Sequence, residues 1–202
     1  MKKNHFLLIF VLSVISISTT QAQCFNPAAR ATISRGVNHA LIKKITFDGN
    51  FAINEHFSAG PSIGLGTFKI QDDMYTNPEE LRFQKSLMLP VSANLKYYFR
   101  PQNKVSAFVF GQVGYTFDLC KNYALWKEDK YVKDIFDKMG LNMTIGAGVD
   151  VAVPHGSLQL SIDWDVQKIK ECYMANDPYT SESFYGVSVA YKWGNRKLNK
   201  KN

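Results

Sequence analysis

The chain has 202 residues, with 24 Lys and Arg against 17 Asp and Glu, for a formal charge of +7. Lys2 and Lys3 stand at one end and Arg196, Lys197, Lys200 and Lys201 at the other, so the stretch between them is nearly neutral. Nucleic-acid binding needs a basic face, and none exists outside that short tail. No later run approaches 18 consecutive apolar residues, which excludes a second helical span but not a membrane protein built from strands.

The first 22 residues read as a cleaved signal peptide. Lys2 and Lys3 form a positive n-region, Phe6 to Ile17 is apolar apart from Ser13 and Ser16, and Thr20 and Ala22 suit cleavage after Ala22. The apolar run is short for a membrane span, which takes roughly 20 residues. A lipid-modified Cys24 would want a small residue before it, and Gln23 holds that place. The remainder is enough for one domain, expected over 23–195, with a short basic tail over 196–202.

Eight strands are expected in chain order. The first, around Ala29–Val37, is polar and carries Arg30 and Arg35. Ile45, Phe47, Phe51 and Ile53 then oppose Lys44, Thr46, Asp48 and Asn50. Phe57, Ala59, Ile63 and Leu65 oppose Ser58, Gly60, Ser62, Gly64 and Gly66. Leu87, Leu89, Val91, Ala93, Leu95, Tyr97 and Phe99 oppose Ser92, Asn94 and Lys96. Val105 to Phe117 is less clean, because Phe108 and Phe110 share a face with Gln112 and Thr116. Leu141 to Val151 alternates with Asn142, Thr144, Gly146, Gly148 and Asp150. The clearest strand is Leu158–Gln167, where Leu158, Leu160, Ile162, Trp164 and Val166 oppose Gln159, Ser161, Asp163, Asp165 and Gln167. The last runs from Tyr185 to Trp193 with Lys192 on its polar face. A 3.6-residue period would mix these sets, so a two-residue period means strands with two unlike faces.

Short turns are expected at Asn54–His56, Arg100–Lys104 and Pro154–Gly156, and long polar stretches at Lys69–Arg82, Asp118–Lys138 and Ile169–Glu182. They alternate, which in an up-and-down barrel puts all tight turns at one rim and all long loops at the other. Pro61 and Pro90 fall inside strands, where a missing N–H predicts a bulge or bend.

Alternation alone fits either a soluble lipocalin-like barrel or a membrane barrel. The polar face decides between them. It is rich in Gly, Ser, Thr, Asn and Gln, and its charges are Lys44, Asp48, Lys96, Asp150, Asp163, Asp165 and Lys192, with no Glu. Such a set suits a narrow, filled lumen rather than a wetted surface. Aromatics also gather near strand ends: Phe51, Phe57, Tyr97, Phe99, Tyr191 and Trp193 toward the tight turns, Tyr115, Phe117, Trp164 and Tyr185 toward the long loops. Two aromatic girdles around an aliphatic band match the two interfaces of a bilayer. The expected fold is therefore an all-β, eight-stranded antiparallel up-and-down transmembrane β-barrel.

Over roughly residues 29–193 the chain resembles the small OmpA/OmpX-type outer-membrane barrel proteins. The final strand, YGVSVAYKW, is similar to the aromatic-ended strand by which the barrel-assembly machinery recognises such proteins. Family members usually end at that aromatic residue, whereas GNRKLNKKN follows it here. The resemblance implies a cell outer membrane location, outer-membrane lipid as surroundings and a monomeric barrel.

Several residues bear weighing for chemistry. Cys120 and Cys172 lie in neighbouring long stretches and are a candidate disulfide, leaving Cys24 unpaired. No HExxH or Cys-rich spacing points to a metal or other cofactor. His39 with Ser34 is the one pair to weigh for an enzyme acting on outer-leaflet lipid. Asp150, Asp163 and Asp165 could serve as paired carboxylates. The stronger reading pairs them with Lys44, Lys96 and Lys192, because an unpaired buried charge is costly. LWKEDKYVKDIFDKMG offers either a short helix or an extension of its adjoining strands, and in both cases a surface for an external partner. Three functions are weighed: a non-enzymatic barrel acting through its loops, a lipid-modifying enzyme, and a soluble periplasmic binding barrel.

Overall fold

The computed structural model describes residues 25–36, 40–72, 82–124, 136–171 and 180–194. They form eight strands: β1 (Phe25–Gly36), β2 (Leu41–Ala52), β3 (Phe57–Asp72), β4 (Arg82–Tyr98), β5 (Val105–Ala124), β6 (Phe136–Val153), β7 (Gly156–Glu171) and β8 (Thr180–Trp193). Each pairs antiparallel with its neighbours in sequence, and β1 pairs with β8 from Ala28↔Lys192 to Gly36↔Phe184, closing the barrel. Closure removes the sheet edges that an open sheet would present.

The period-2 pattern sorts side chains to the two surfaces of this wall. Ile45, Phe47, Ile63, Leu65, Val113, Leu160, Ile162 and Val187 point outward, each more than half exposed. Inward come Thr32, Ser62, Asn94, Lys96, Asp150, Gln159 and Asp163, all buried. An apolar exterior around a polar interior is the distribution of a barrel that spans a bilayer. A soluble barrel has the opposite arrangement, which the lipocalin-like alternative required.

Aromatic contacts mark the rim of tight turns. Phe25 and Phe51 rings lie 5.0 Å apart, Phe57 and Tyr97 4.8 Å, and Tyr191 and Trp193 5.2 Å. Toward the other rim Tyr115 and Phe117 meet at 4.8 Å, and Trp164 pairs in register with Tyr185. The turn after β2 is built by Asn54, whose Oδ1 accepts the backbone N–H of His56 and of Phe57, each at 2.8 Å. Gly156 belongs to β7 rather than to the turn before it.

Three expectations are corrected. First, the long polar stretches are partly strand: the ladders continue to Asp72↔Arg82 and to Phe83↔Ala124. In these stretches the sequence no longer alternates between apolar and polar residues, while backbone pairing persists. Second, Pro61 and Pro90 do not shift the register. The β2–β3 ladder omits the pairs at Gly49–Asn50, opposite Pro61, and the β3–β4 ladder omits those at Gly64–Leu65, opposite Pro90; each resumes in the same register. The irregularities fall instead at Leu87/Met88 opposite β5, and at Phe136/Lys138 and Met139/Asn142 opposite β7. Third, β1 begins at Phe25, four residues before the expected start, and Val37 lies outside the described residues.

Candidate functional site

Charged side chains converge in the interior, where inward alternation along the strands delivers them. Asp48 on β2 is its centre. Its Oδ2 accepts from Arg30 Nη2 of β1 at 2.6 Å and from Lys96 Nζ of β4 at 3.2 Å, and its Oδ1 accepts from Ser62 of β3 at 2.7 Å. Lys96 also donates to Gln159 Oε1 of β7 at 3.3 Å. The Gln159 amide donates in turn to Asp150 Oδ2 at 3.2 Å and to Tyr98 Oη at 3.1 Å. Lys192 of β8 completes the chain, with Nζ 3.0 Å from Asp150 and 4.7 Å from the Tyr98 ring centroid. The Arg30 guanidinium lies 4.6 Å over Phe110, so this charge too faces a ring.

Nearer the long-loop rim a second group surrounds Asp165. Lys44 Nζ lies 3.1 Å from one oxygen and 3.2 Å from the other, Ser34 donates at 3.1 Å, and Thr144 donates as well. Asp163 accepts from Ser161 at 3.0 Å and from Ser188, which also meets Thr32 at 2.8 Å. Burying charge is affordable only when it is paired or well hydrogen-bonded; Lys44 pairs with Asp165, and hydroxyl donors hold Asp163.

The polar layer is sealed at the loop side. Ala40, Ile42, Phe68, Met88, Met139, Ile169 and Phe184 form a buried apolar cluster, with the Phe68 and Phe184 rings edge-on at 6.0 Å. The irregularity between Met139 and Asn142 explains one member, since Met139 would otherwise share the outward phase of Leu141. Toward the tight turns Tyr98, Phe108 and Phe110 form a second cluster. This accounts for the untidy β5 pattern: its two inner aromatics stand on the lumen face.

The seven charged residues singled out from the sequence thus all face the interior, and the structure joins Lys44 to Asp165, Lys96 to Asp48 and Lys192 to Asp150. Sequence reasoning missed Arg30 as a partner, together with Gln159 and the hydroxyl donors. Arg30 shares its period-2 face with Thr32 and Ser34, which was the available signal. Ser34 is buried against Asp165, and His39 lies outside the described residues. His56 holds the Tyr98 carbonyl at 2.7 Å through Nδ1, and His155 sits exposed in a turn. Among the described residues no group of three His, Cys, Asp or Glu could hold a metal ion. Cys24 and Cys172 lie outside the described residues, as does the candidate disulfide; Cys120 has its backbone paired with Leu87. The expected signal and basic tail also fall outside them.

No protein-family model matches the sequence, and no curated protein matches it either. Among solved structures, the outer membrane enzyme PagL is similar at 11% identity over 81% of this chain and 97% of that one, with a TM-score of 0.49. OprG from Pseudomonas aeruginosa is similar at 10% identity over 86% and 98%, with a TM-score of 0.48. Neisserial surface protein A is similar at 10% identity over 86% and 99%, with a TM-score of 0.47. At this distance the likeness is one of barrel architecture and carries nothing about activity.

Proposed function

We propose that the chain is a non-enzymatic barrel of the OmpA/OmpX type, resident in the outer membrane of a Gram-negative cell, acting through the long-loop rim. The observation that carries this reading is the inverted solvation of the wall, with bulky aliphatics outward and paired charges inward. The aromatic-ended last strand supports recognition by the barrel-assembly machinery, and closure without a free edge supports a monomer. A catalytic role for Asp163 or Asp165 is disfavoured because their oxygens are engaged with Ser, Thr and Lys donors beneath an apolar seal.

Membrane fractionation with a heat-modifiability gel tests the location: the protein follows the outer membrane, and its unheated band migrates apart from the heated one. Folding in plain buffer without detergent overturns it. Lipid A mass spectra from cells with and without the gene test the non-enzymatic role. Identical spectra are expected, and an acyl or headgroup difference overturns it. The Cys120–Cys172 bond remains part of the proposal, and thiol titration without reductant then finds Cys24 alone; titration of all three cysteines overturns it.

A further inference from the structure

The middle of β3 is loosely tied to the wall. Its ladder to β2 omits the pairs of Gly60 and Pro61, and its ladder to β4 omits those of Gly64 and Leu65, opposite Pro90 and Leu89. Each gap coincides with a proline, which brings no N–H to a ladder. From Gly60 to Leu65 only Ser62 and Ile63 are paired on both sides, Ser62 with Asp48 and Ser92, Ile63 with Phe47 and Val91. Side chains add little. The inward positions here are Gly60, Ser62, Gly64 and Gly66, so Ser62 alone reaches into the lumen, donating to Asp48 Oδ1 at 2.7 Å. The Asn94 amide of β4 adds one tether, donating to the Gly60 carbonyl at 2.9 Å.

The β7 strand is built the other way. Its ladders run unbroken from Asn142↔Gln167 to Val153↔Gly156 and from Gly156↔Trp193 to Ile169↔Thr180. Its inward Gln159, Ser161, Asp163, Asp165 and Gln167 are all hydrogen-bonded.

Polar atoms without partners gather around β3. Among the described residues, Thr46 Oγ1, Asn50 Nδ2 and Oδ1, Ser58 Oγ and Asn94 Oδ1 are buried without a hydrogen bond. Thr46 pairs with Gly64, Asn94 pairs with Gly60, and Asn50 stands at the β2 gap. Burying such atoms dry is costly, which favours states in which water reaches them. Hydrocarbon cannot hydrate a freed strand, so that water comes from the lumen.

We propose that β3 between Gly60 and Leu65 is a gate built into the barrel wall, which parts from β2 and β4 ahead of the other strands, releases Ser62 from Asp48 and admits water to the buried ionic group. The apolar clusters of Phe68 with Phe184 and of Tyr98 with Phe108 lie beyond the segment, so opening hydrates Asp48 without making a passage.

Residue-resolved hydrogen–deuterium exchange on the full chain in phosphatidylcholine vesicles tests the gate. Ser62 and Ile63 are the amides to read, because both lie in intact ladder and exchange only when the strand parts. They exchange at least about tenfold faster than Ser161 and Ile162 of β7, and sub-denaturing urea leaves their rates unchanged, as a local opening requires. Rates equal to those of β7, or rates that climb with urea in step with Ile162, overturn the gate. The double variant P61V/P90V supplies both missing N–H groups and slows Ser62 and Ile63 about tenfold while β7 is unaffected; unchanged exchange on β3 overturns the role of the prolines in it. The heat-modifiable band checks that the double variant folds. If it does not, S62A gives the readout: Ile63 quickens about tenfold with β7 unchanged, and equal acceleration on both strands overturns the gate.

Discussion

Asp48 meets two cations at once, and neither it nor Lys96 has any side-chain surface in contact with solvent. Replacing it with Asn leaves Arg30 and Lys96 buried together without an anion. Breaking a buried pair this way costs about 3–5 kcal/mol. Asp165→Asn is milder, about 1–2 kcal/mol, because Lys44 keeps 14% of its side-chain surface exposed and can turn toward water. Asp163→Asn is milder still, below about 1.5 kcal/mol, since the Ser161 and Ser188 hydroxyls that donate to it can reorient. Urea midpoints of the three variants in vesicles check this order; equal losses would contradict it. The charges themselves were legible from sequence, because each interrupts a run of small polar residues on one face. Their partners were not. Contacts such as Lys96 to Gln159 cross the lumen between strands far apart in the chain, and depend on strand tilt that no local pattern encodes.

At the scale of a strand, close backbone approach governs what is tolerated. A Cβ on Gly60 would sit 1.7 Å from the Gly49 carbonyl oxygen, where the β2–β3 ladder omits pairs. Gly60→Ala must therefore push backbone apart and costs about 1–3 kcal/mol. Gly111 has nothing within 4 Å of the same added atom, so Gly111→Ala stays within about 0.5 kcal/mol. Paired unfolding curves for the two alanine variants measure the contrast.

Asp118 offers a second test. β5 and β6 pair only as far as Tyr115↔Leu141, and beyond that point Asp118 Oδ2 takes the Met139 N–H at 2.7 Å while Ser86 donates to its other oxygen at 2.8 Å. Asp118→Ala should speed amide exchange at Met139 at least about tenfold, read by hydrogen–deuterium exchange. Strand faces were legible wherever one side meets lipid. Strand ends were not, since Asp118 to Ala124 continues a ladder without any contrast between its faces. β1 was faint for a related reason: Ala29 and Ala31 give its outer face little bulk to set against Arg30 and Thr32.

For the whole molecule, the layered interior implies an electrically silent barrel. An apolar cluster with Phe68 and Phe184 lies on the loop side of the buried ionic groups, and Tyr98 and Phe108 lie on the other. Planar bilayer recordings of the purified protein should show no unitary steps, and a reproducible conductance would contradict the filled lumen.

The chain of contacts from Arg30 to Lys192 ties together β1, β2, β4, β6, β7 and β8. In a two-faced strand, sliding by a single residue turns every side chain to the opposite side. Misalignment of β2 or β4 would then thrust Asp48 or Lys96 into hydrocarbon and strand its counterion within. Staggered assemblies are thereby penalised twice over, so the cross-lumen pairs act as a proofreading key for strand alignment during insertion.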